Sequence, residues 1–367
     1  MKLFACQACG QVLYFENVRC EQCGHVLGYL PEAATLSALE PRDAQGCFTA
    51  LAAPGRVYKF CRNQVHGVCN WLVSAEDEGG FCAACRHNRV IPDLGGAANP
   101  ARWARIEAAK HRLFYTLLKL GLPLANRQDD PVHGLAFDFL ADPPVPHAQG
   151  VMTGHSDGVI TLALKEADDA AREDVRGAMG EPYRTLLGHF RHESGHYFWD
   201  RLVAPDAGRL GAFRGLFGDE RADYAAALER HYQGGPPPGW QENFVSAYAA
   251  AHPWEDFAET WAHYLHIVDT LETAWAFGIR VHPRAGNGLQ TAVDFDPHQA
   301  TGMDRLVAAW LPITFAVNSL NRAMGQPDLY PFVLAPGAIA KLGFVQGLLR
   351  PVAARSDFPV AAPAPWV

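Results

Sequence analysis

The chain has 367 residues and a mass of 40.1 kDa, which is long enough for two or three domains and one sizeable core. Apolar residues make up 49% of it and charged residues 19%, so neither global disorder nor a collagen-like repeat describes the chain. The net charge of −8 comes from 31 basic and 39 acidic side chains, and this acidic balance argues against nucleic acid as a partner.

The sequence predicts neither a secretion signal nor a membrane segment. The first ten residues are not followed by the apolar run of a signal peptide. The longest uncharged stretch near the end, residues 306–321, contains Pro312 and is too short to span a bilayer. We therefore predict a cytoplasmic protein without a membrane partner. In that reducing compartment, paired cysteines are more often metal ligands than disulfides.

Two CxxCG units near the start predict a first metal module over residues 1–30. Tight turns of this type present pairs of thiolates to one tetrahedral ion, and the apolar run 12–15 between them predicts a short strand. This is a zinc-ribbon or rubredoxin-like arrangement. Zinc is the predicted ion, although four thiolates also accept iron, and a redox CxxC is the alternative. The predicted ligands are Cys6, Cys9, Cys20 and Cys23.

A second structural zinc module is predicted over residues 44–95. Its four cysteines include only one CxxC pair, so the signal is weaker than in the first module. Cys47 is left over, and we predict that it is a free, buried thiol. The predicted ligands are Cys61, Cys69, Cys82 and Cys85.

The composition changes after a Gly- and Pro-containing linker at residues 92–100. A helix capped by Asn99 is predicted to follow and to open a mostly helical domain over residues 100–350. Alternating apolar residues predict strands at 135–140 and 159–164. The last residues, 351–367, are rich in Pro and Ala and are predicted to form a flexible tail.

A helix predicted to begin at Pro182 carries the motif His192-Glu193-Ser-Gly-His196. Histidines four residues apart share one helix face and can bind one zinc ion, while the glutamate between them can reach a water on that ion. The alternative is a pair of surface histidines. The metzincin extension is excluded because Trp199 and Leu202 occupy its glycine and histidine positions.

The third ligand is predicted on a later helix that begins at Pro253. Glu255 and Glu259 lie one turn apart there, among large apolar neighbours that indicate a buried face. One carboxylate can coordinate zinc while the other accepts the outer N–H of a ligand histidine. Asp219 and Glu220 are lesser candidates for supporting the ligands by hydrogen bonds, and an ordinary salt-bridged helix face is favoured for them. We predict that His189, His263 and His266 pack in the core or support the ligands rather than bind the metal.

This arrangement resembles the glutamate zincins (gluzincins), in which a glutamate on a later helix completes HExxH. The resemblance implies that His192, His196 and Glu255 bind the catalytic zinc. It also implies that Glu193 is the general base and that Glu259 supports a ligand histidine.

In the lethal-factor branch of the gluzincins, a tyrosine seven residues before the ligand glutamate assists at the oxyanion, and Tyr248 has that offset here. Nearly the whole chain also resembles an uncharacterised bacterial family of predicted zinc-binding metallopeptidases with N-terminal zinc ribbons. The segments that carry this resemblance, besides the ribbons, are HESGHYFWD (192–200), FGDERADY (217–224), HPWEDFAETWAHYLH (252–266) and MGQPDLYPFV (324–333). The resemblance implies an α+β fold: a mainly helical zincin-like domain with small antiparallel strands, preceded by zinc-ribbon modules.

We therefore predict a zinc-dependent peptidase that holds one catalytic and two structural zinc ions and acts on a peptide or protein. The ribbons could also bind a protein partner. The alternative is an adaptor protein whose zincin domain is catalytically silent. Glu193 and Tyr248 favour the enzyme, because a silent domain has no need for a base between the histidines.

Overall fold

A computed structural model describes residues 2–142, 151, 153–173, 185–285 and 288–353. The chain divides into two compact units, one up to Asp169 and one from Ala170 to Ala354. Among the helices of the described residues, none combines the length and the apolar character needed to cross a membrane.

The first unit begins with a small hairpin and an antiparallel five-stranded sheet. The hairpin pairs β1 (Phe4–Ala5) with β2 (Val12–Leu13), in the region of the predicted strand. The sheet follows chain order, and its core contains Leu30, Leu39, Ala50, Tyr58 and Leu72. Its strands are β3 (Val26–Leu30), β4 (Thr35–Pro41), β5 (Phe48–Ala50), β6 (Val57–Phe60) and β7 (Leu72–Ser74).

The same unit contains a long helix and a second sheet. Helix α1 spans Asn99–Lys119 and begins one residue earlier than predicted. Asn99 does not cap it: Ala98 is the cap residue, no side chain caps the helix, and Nδ2 of Asn99 donates instead to the carbonyl of Asp93 at 2.9 Å. The sheet has the order β10-β11-β9-β8, and both predicted strands are present as β9 and β11. It is mixed rather than purely antiparallel, because β9 runs parallel to β8 and β11. The strands are β8 (Asn88–Val90), β9 (Ala136–Leu140), β10 (Gly154–Ser156) and β11 (Val159–Ala163).

The second unit is mainly helical, and the α+β fold class is thereby confirmed. Of the predicted tail, residues 351–353 end the last helix, and residues 354–367 lie outside the described part of the chain. The helices are α2 (Leu186–Leu202), α3 (Ala207–Phe217), α4 (Tyr224–Gly234), α5 (Pro253–Ala276), α6 (Met303–Ala323) and α7 (Pro336–Ala353), with a short hairpin of β12 (Arg280–Val281) and β13 (Thr291–Ala292) between α5 and α6.

The two helices that carry the zinc motif begin at defined caps. Helix α2 begins later than predicted: the side chain of Thr185 accepts a hydrogen bond from the Gly188 amide at 3.0 Å, whereas Pro182 lies outside the described residues. Helix α5 begins at Pro253 as predicted, and Nδ1 of His252 accepts from the Trp254 amide at 3.1 Å.

Helices α2 and α5 approach each other closely at Gly195, inside the HExxH motif. A Cβ atom at this position would lie 2.8 Å from Cα of Ala258. That neighbour is backbone and cannot rotate away. The glycine therefore allows the two helices to pack against each other and brings the histidines of α2 next to the acids of α5.

We expect Gly195→Ala to destabilise the protein by about 1–3 kcal/mol, because the added methyl group overpacks the helix contact. Urea unfolding of the apoprotein would measure the change. Gly211→Ala in α3 is the matched control, since a Cβ there meets nothing within 4 Å. It should be neutral or stabilising by about 0.5–1 kcal/mol through helix propensity. Equal stability of the two variants would contradict the packing role.

Candidate metal centre

The three predicted ligands of the catalytic zinc lie together in the second unit. Nε2 of His192 is 3.0 Å from Oε2 of Glu255, and Nε2 of His196 is 3.5 Å from Oε1 of the same carboxylate. The ligand atoms of all three residues lie within 4.8 Å of one another. Two imidazole nitrogens and one carboxylate therefore converge on a common point, as the ligands of a single ion would.

The charges in this cluster suit a divalent cation. Glu255 is only 1% exposed. Burial alone would raise its pKa, but the charge of His196 and hydrogen bonds to both histidines hold the pKa well below its usual value. Two histidines and one glutamate form a donor set typical of catalytic zinc, which leaves a fourth position for water. The residues present thus fit a zinc ion.

Glu259 fixes the orientation of His192. Oε1 of this glutamate lies 2.8 Å from Nδ1 of His192, and the hydroxyl of Ser246 donates to Oε2 at 2.5 Å. Burial alone would raise the pKa of Glu259, but the hydrogen bond to His192 lowers this pKa to about 2. An ionised carboxylate only accepts, so Nδ1 carries the hydrogen and Nε2 is left for a metal.

The two residues with predicted catalytic roles lie beside the ligands. Glu193 follows His192 on α2 and is 8% exposed. The ring of Tyr248, in the turn before α5, is centred 5.9 Å from that of His192. Burial and then the charge of Glu255 hold the pKa of Tyr248 well above its usual value, so the phenol keeps its proton.

The sequence did not reveal that a second tyrosine contacts the cluster. The hydroxyl of Tyr224, the first residue of α4, donates to Oε1 of Glu255 at 2.6 Å. Burial and then the charge of Glu255 raise its pKa, and the charge of Glu193 adds to the shift. Nε2 of His252, the cap residue of α5, lies 3.1 Å from the carbonyl of Ala222. This contact connects the segment before α4 to the start of α5.

Tyr224 is the last residue of the segment FGDERADY (217–224), in which Asp219 and Glu220 were the predicted candidates. Both acids form salt bridges with neighbouring arginines. Oδ1 of Asp219 lies 2.8 Å from Nε of Arg221, and Oε2 of Glu220 lies 2.9 Å from Nε of Arg214. Neither contact involves the ligand cluster.

The other histidines near the motif have contacts of their own. Nδ1 of His263 lies 2.6 Å from the hydroxyl of Tyr330, and burial lowers the pKa of this histidine to about 4. His266 hydrogen-bonds to Arg191, which also pairs with Asp269. His189, the third of these histidines, is in the first turn of α2.

In the first unit, the eight predicted thiolate ligands form two separate groups. In the first, Sγ of Cys6 and Cys23 are 3.6 Å apart, as are those of Cys9 and Cys20. Zn–S bonds of 2.3 Å imply S···S separations of about 3.8 Å in a tetrahedron, so four sulfurs at these distances fit one ion. Cys47 belongs to neither group, and its side chain is half-buried rather than buried as predicted. The second group is Cys61, Cys69, Cys82 and Cys85, with sulfurs within 4.8 Å of one another.

Residues 99–348 match the family described as "Putative zinc-binding metallo-peptidase". The chain belongs to this family. Residues 3–96 match a zinc-ribbon domain. Relatives of this metallopeptidase family member include uncharacterized proteins of Mycobacterium bovis and of two Mycobacterium tuberculosis strains, each 44% identical over 357 residues, or 96% of either chain. No solved structure matches the chain.

Proposed function

We propose that this protein is a zinc-dependent peptidase of the gluzincin type. In this proposal His192, His196 and Glu255 hold the catalytic zinc, and Glu193 is the general base. The observation that carries the proposal is the Glu255 carboxylate, which is buried and faces Nε2 of both motif histidines. A surface pair of histidines would have no such partner.

The zinc ion, when bound, offers a position for a water molecule, lowers the pKa of that water and polarises the substrate carbonyl. Glu193 accepts a proton from the attacking water and passes it to the leaving amine. Tyr248 keeps its proton and donates a hydrogen bond to the developing oxyanion. Tyr224 and Glu259 act on the ligands: the first orients Glu255, and the second orients His192.

We further propose that both four-cysteine groups hold structural zinc. Four thiolates close a tetrahedral site and leave no position for water, so these ions stabilise the first unit rather than act on substrate. The catalytic group differs in having two nitrogens and one carboxylate.

The direct test is hydrolysis of a mixed peptide library by the purified full-length protein, followed by mass spectrometry. We expect cleavage that stops when a chelator removes the His/His/Glu metal and returns on adding zinc. Metal analysis must accompany the assay. Failure to cleave any peptide with the catalytic zinc fully bound would contradict the proposal and favour the silent adaptor.

We expect substitutions of the two tyrosines to have different kinetic effects. Tyr248→Phe should lower kcat by about 10²–10³-fold with KM nearly unchanged, because it removes an oxyanion donor. Tyr224→Phe should instead weaken zinc binding by about 10–100-fold, because it frees a ligand carboxylate, and saturating zinc should restore most of the activity. Steady-state kinetics across a zinc titration would distinguish them. The reverse pattern would make Tyr224 the oxyanion donor.

A further inference from the structure

Helix α1 inserts a histidine into the second cysteine group. Nε2 of His111 lies 3.3 Å from Sγ of Cys69, 3.7 Å from Sγ of Cys85 and 4.0 Å from Sγ of Cys82. The ring is 4% exposed and packs edge-on against Trp71 at 5.0 Å. Neither the spacing of the cysteines nor the zinc-ribbon match over residues 3–96 includes this residue.

The other ring nitrogen shows how His111 is oriented. Nδ1 lies 2.6 Å from the backbone carbonyl of Glu107, one turn earlier on α1. A carbonyl oxygen only accepts, so Nδ1 carries the hydrogen of this bond, and Nε2 points at the sulfurs. This is the arrangement by which proteins present a ligating histidine, with the outer N–H bonded to a carbonyl or carboxylate.

The distances fit a second tetrahedron. Bonds of about 2.0–2.1 Å to nitrogen and 2.3 Å to sulfur place the two donor atoms about 3.6 Å apart. The three observed separations, 3.3 to 4.0 Å, bracket that value. The sulfurs of Cys69, Cys82 and Cys85 are therefore common to two donor sets, one completed by Cys61 and the other by His111.

On the basis of the structural zinc proposed above for this group, we propose that the second cysteine site has five donors and that His111 is a reserve ligand, which completes a Cys₃His site when Cys61 does not bind. In the exchange, the Zn–S bond to Cys61 breaks, a Zn–N bond to His111 forms, and the released thiolate takes a proton from solvent. Cys69, Cys82 and Cys85 would hold the ion throughout the exchange.

Two features of the surroundings of His111 bear on this role. A cavity of about 330 Å³ is lined by Cys69 and His111, together with Phe15, Leu27 and Ala108. This cavity therefore lies beside the edge of the cluster where the histidine and the sulfur meet. Because His111 belongs to α1, the same ligand fixes this helix to the cysteine-rich segment of the unit.

The first cysteine group provides a contrast. Its nearby histidine, His25, has Nδ1 3.3 Å from Sγ of Cys23 and makes a contact with that one sulfur. A donor that touches one sulfur does not define a second tetrahedron, so we assign no reserve ligand there.

The test replaces Cys61 in the full-length protein and counts bound metal. We expect Cys61→Ser to keep the zinc content of the unmodified protein. Cys61→Ser combined with His111→Gln should lose one equivalent or bind it about tenfold or more weakly. With Co²⁺ in place of zinc, the ligand-field bands of Cys61→Ser should move to shorter wavelength, because imidazole is a stronger-field ligand than thiolate.

The controls keep the outcome interpretable even if a variant folds poorly. His111→Gln alone should retain the metal through four cysteines, and loss of metal there would overturn the reserve role. In the first group, Cys20→Ser should lose metal equally with and without His25→Gln. Loss of metal or of the fold in Cys61→Ser, to the same extent as in the double variant, would also overturn the proposal.

Discussion

Replacing Glu193 by Gln is expected to lower peptide hydrolysis by about 10²–10⁴-fold, the contribution of a positioned general base. The amide has nearly the same shape but cannot take up the proton of the attacking water. The three proposed ligands are unchanged, so the zinc content should equal that of the unmodified protein. Single-turnover hydrolysis, with metal analysis of the same sample, would measure both quantities.

A surface acid provides the control for this prediction. Glu229 in α4 is exposed and hydrogen-bonds to Gln233, so Glu229→Gln should leave activity unchanged. Full activity of Glu193→Gln would show that another group takes the proton. Loss of zinc together with activity would mean that Glu193 supports the site rather than acts as its base.

The second large effect is expected from Glu255→Ala, which should release the catalytic zinc and abolish activity. The substitution leaves two buried histidines without the carboxylate that both of them face, and two ligands hold zinc far more weakly than three. The zinc content should fall by one equivalent per chain while the zinc of both cysteine groups stays. Metal analysis after gel filtration would show the loss.

The matched control is Glu259→Ala, one turn further along α5. Its carboxylate contacts the outer nitrogen of His192, so we expect zinc affinity to fall by only about 10–100-fold. Unchanged occupancy in Glu255→Ala, with loss in Glu259→Ala, would exchange the roles of the two acids. Asp219 does not fit either role, because its side chain is exposed and forms a salt bridge with Arg221.

The spacing of residues in the sequence predicted which site residues share a helix face or a turn. A helix repeats every 3.6 residues, so His192 and His196 had to share a face of α2, and Glu255 and Glu259 a face of α5. CxxC spacing likewise placed pairs of thiolates on tight turns. The buried face of α5 followed from the large apolar residues around its acids, and the structure buries Glu255 as expected.

Contacts between residues far apart in the sequence could not be predicted from spacing. Tyr224 reaches Glu255 across 31 positions of the chain, and His111 reaches Cys69 across 42. Neither pair has a fixed spacing that a sequence pattern could reveal. The start of α2 was also misplaced, because the cap formed by Thr185 is a local hydrogen bond that competes with the proline signal.

The CxxC pairs and the HExxH motif were enough by themselves to place candidate donor atoms on tight turns and on one helix face, because those relations depend on a few neighbouring residues. Only the tertiary structure decided which donors meet. The approach of α2 to α5 at Gly195 brings two histidines to one glutamate, and the packing of α1 adds an imidazole to three thiols. Such meetings depend on side-chain volumes and burial over the whole unit, which no short sequence pattern records.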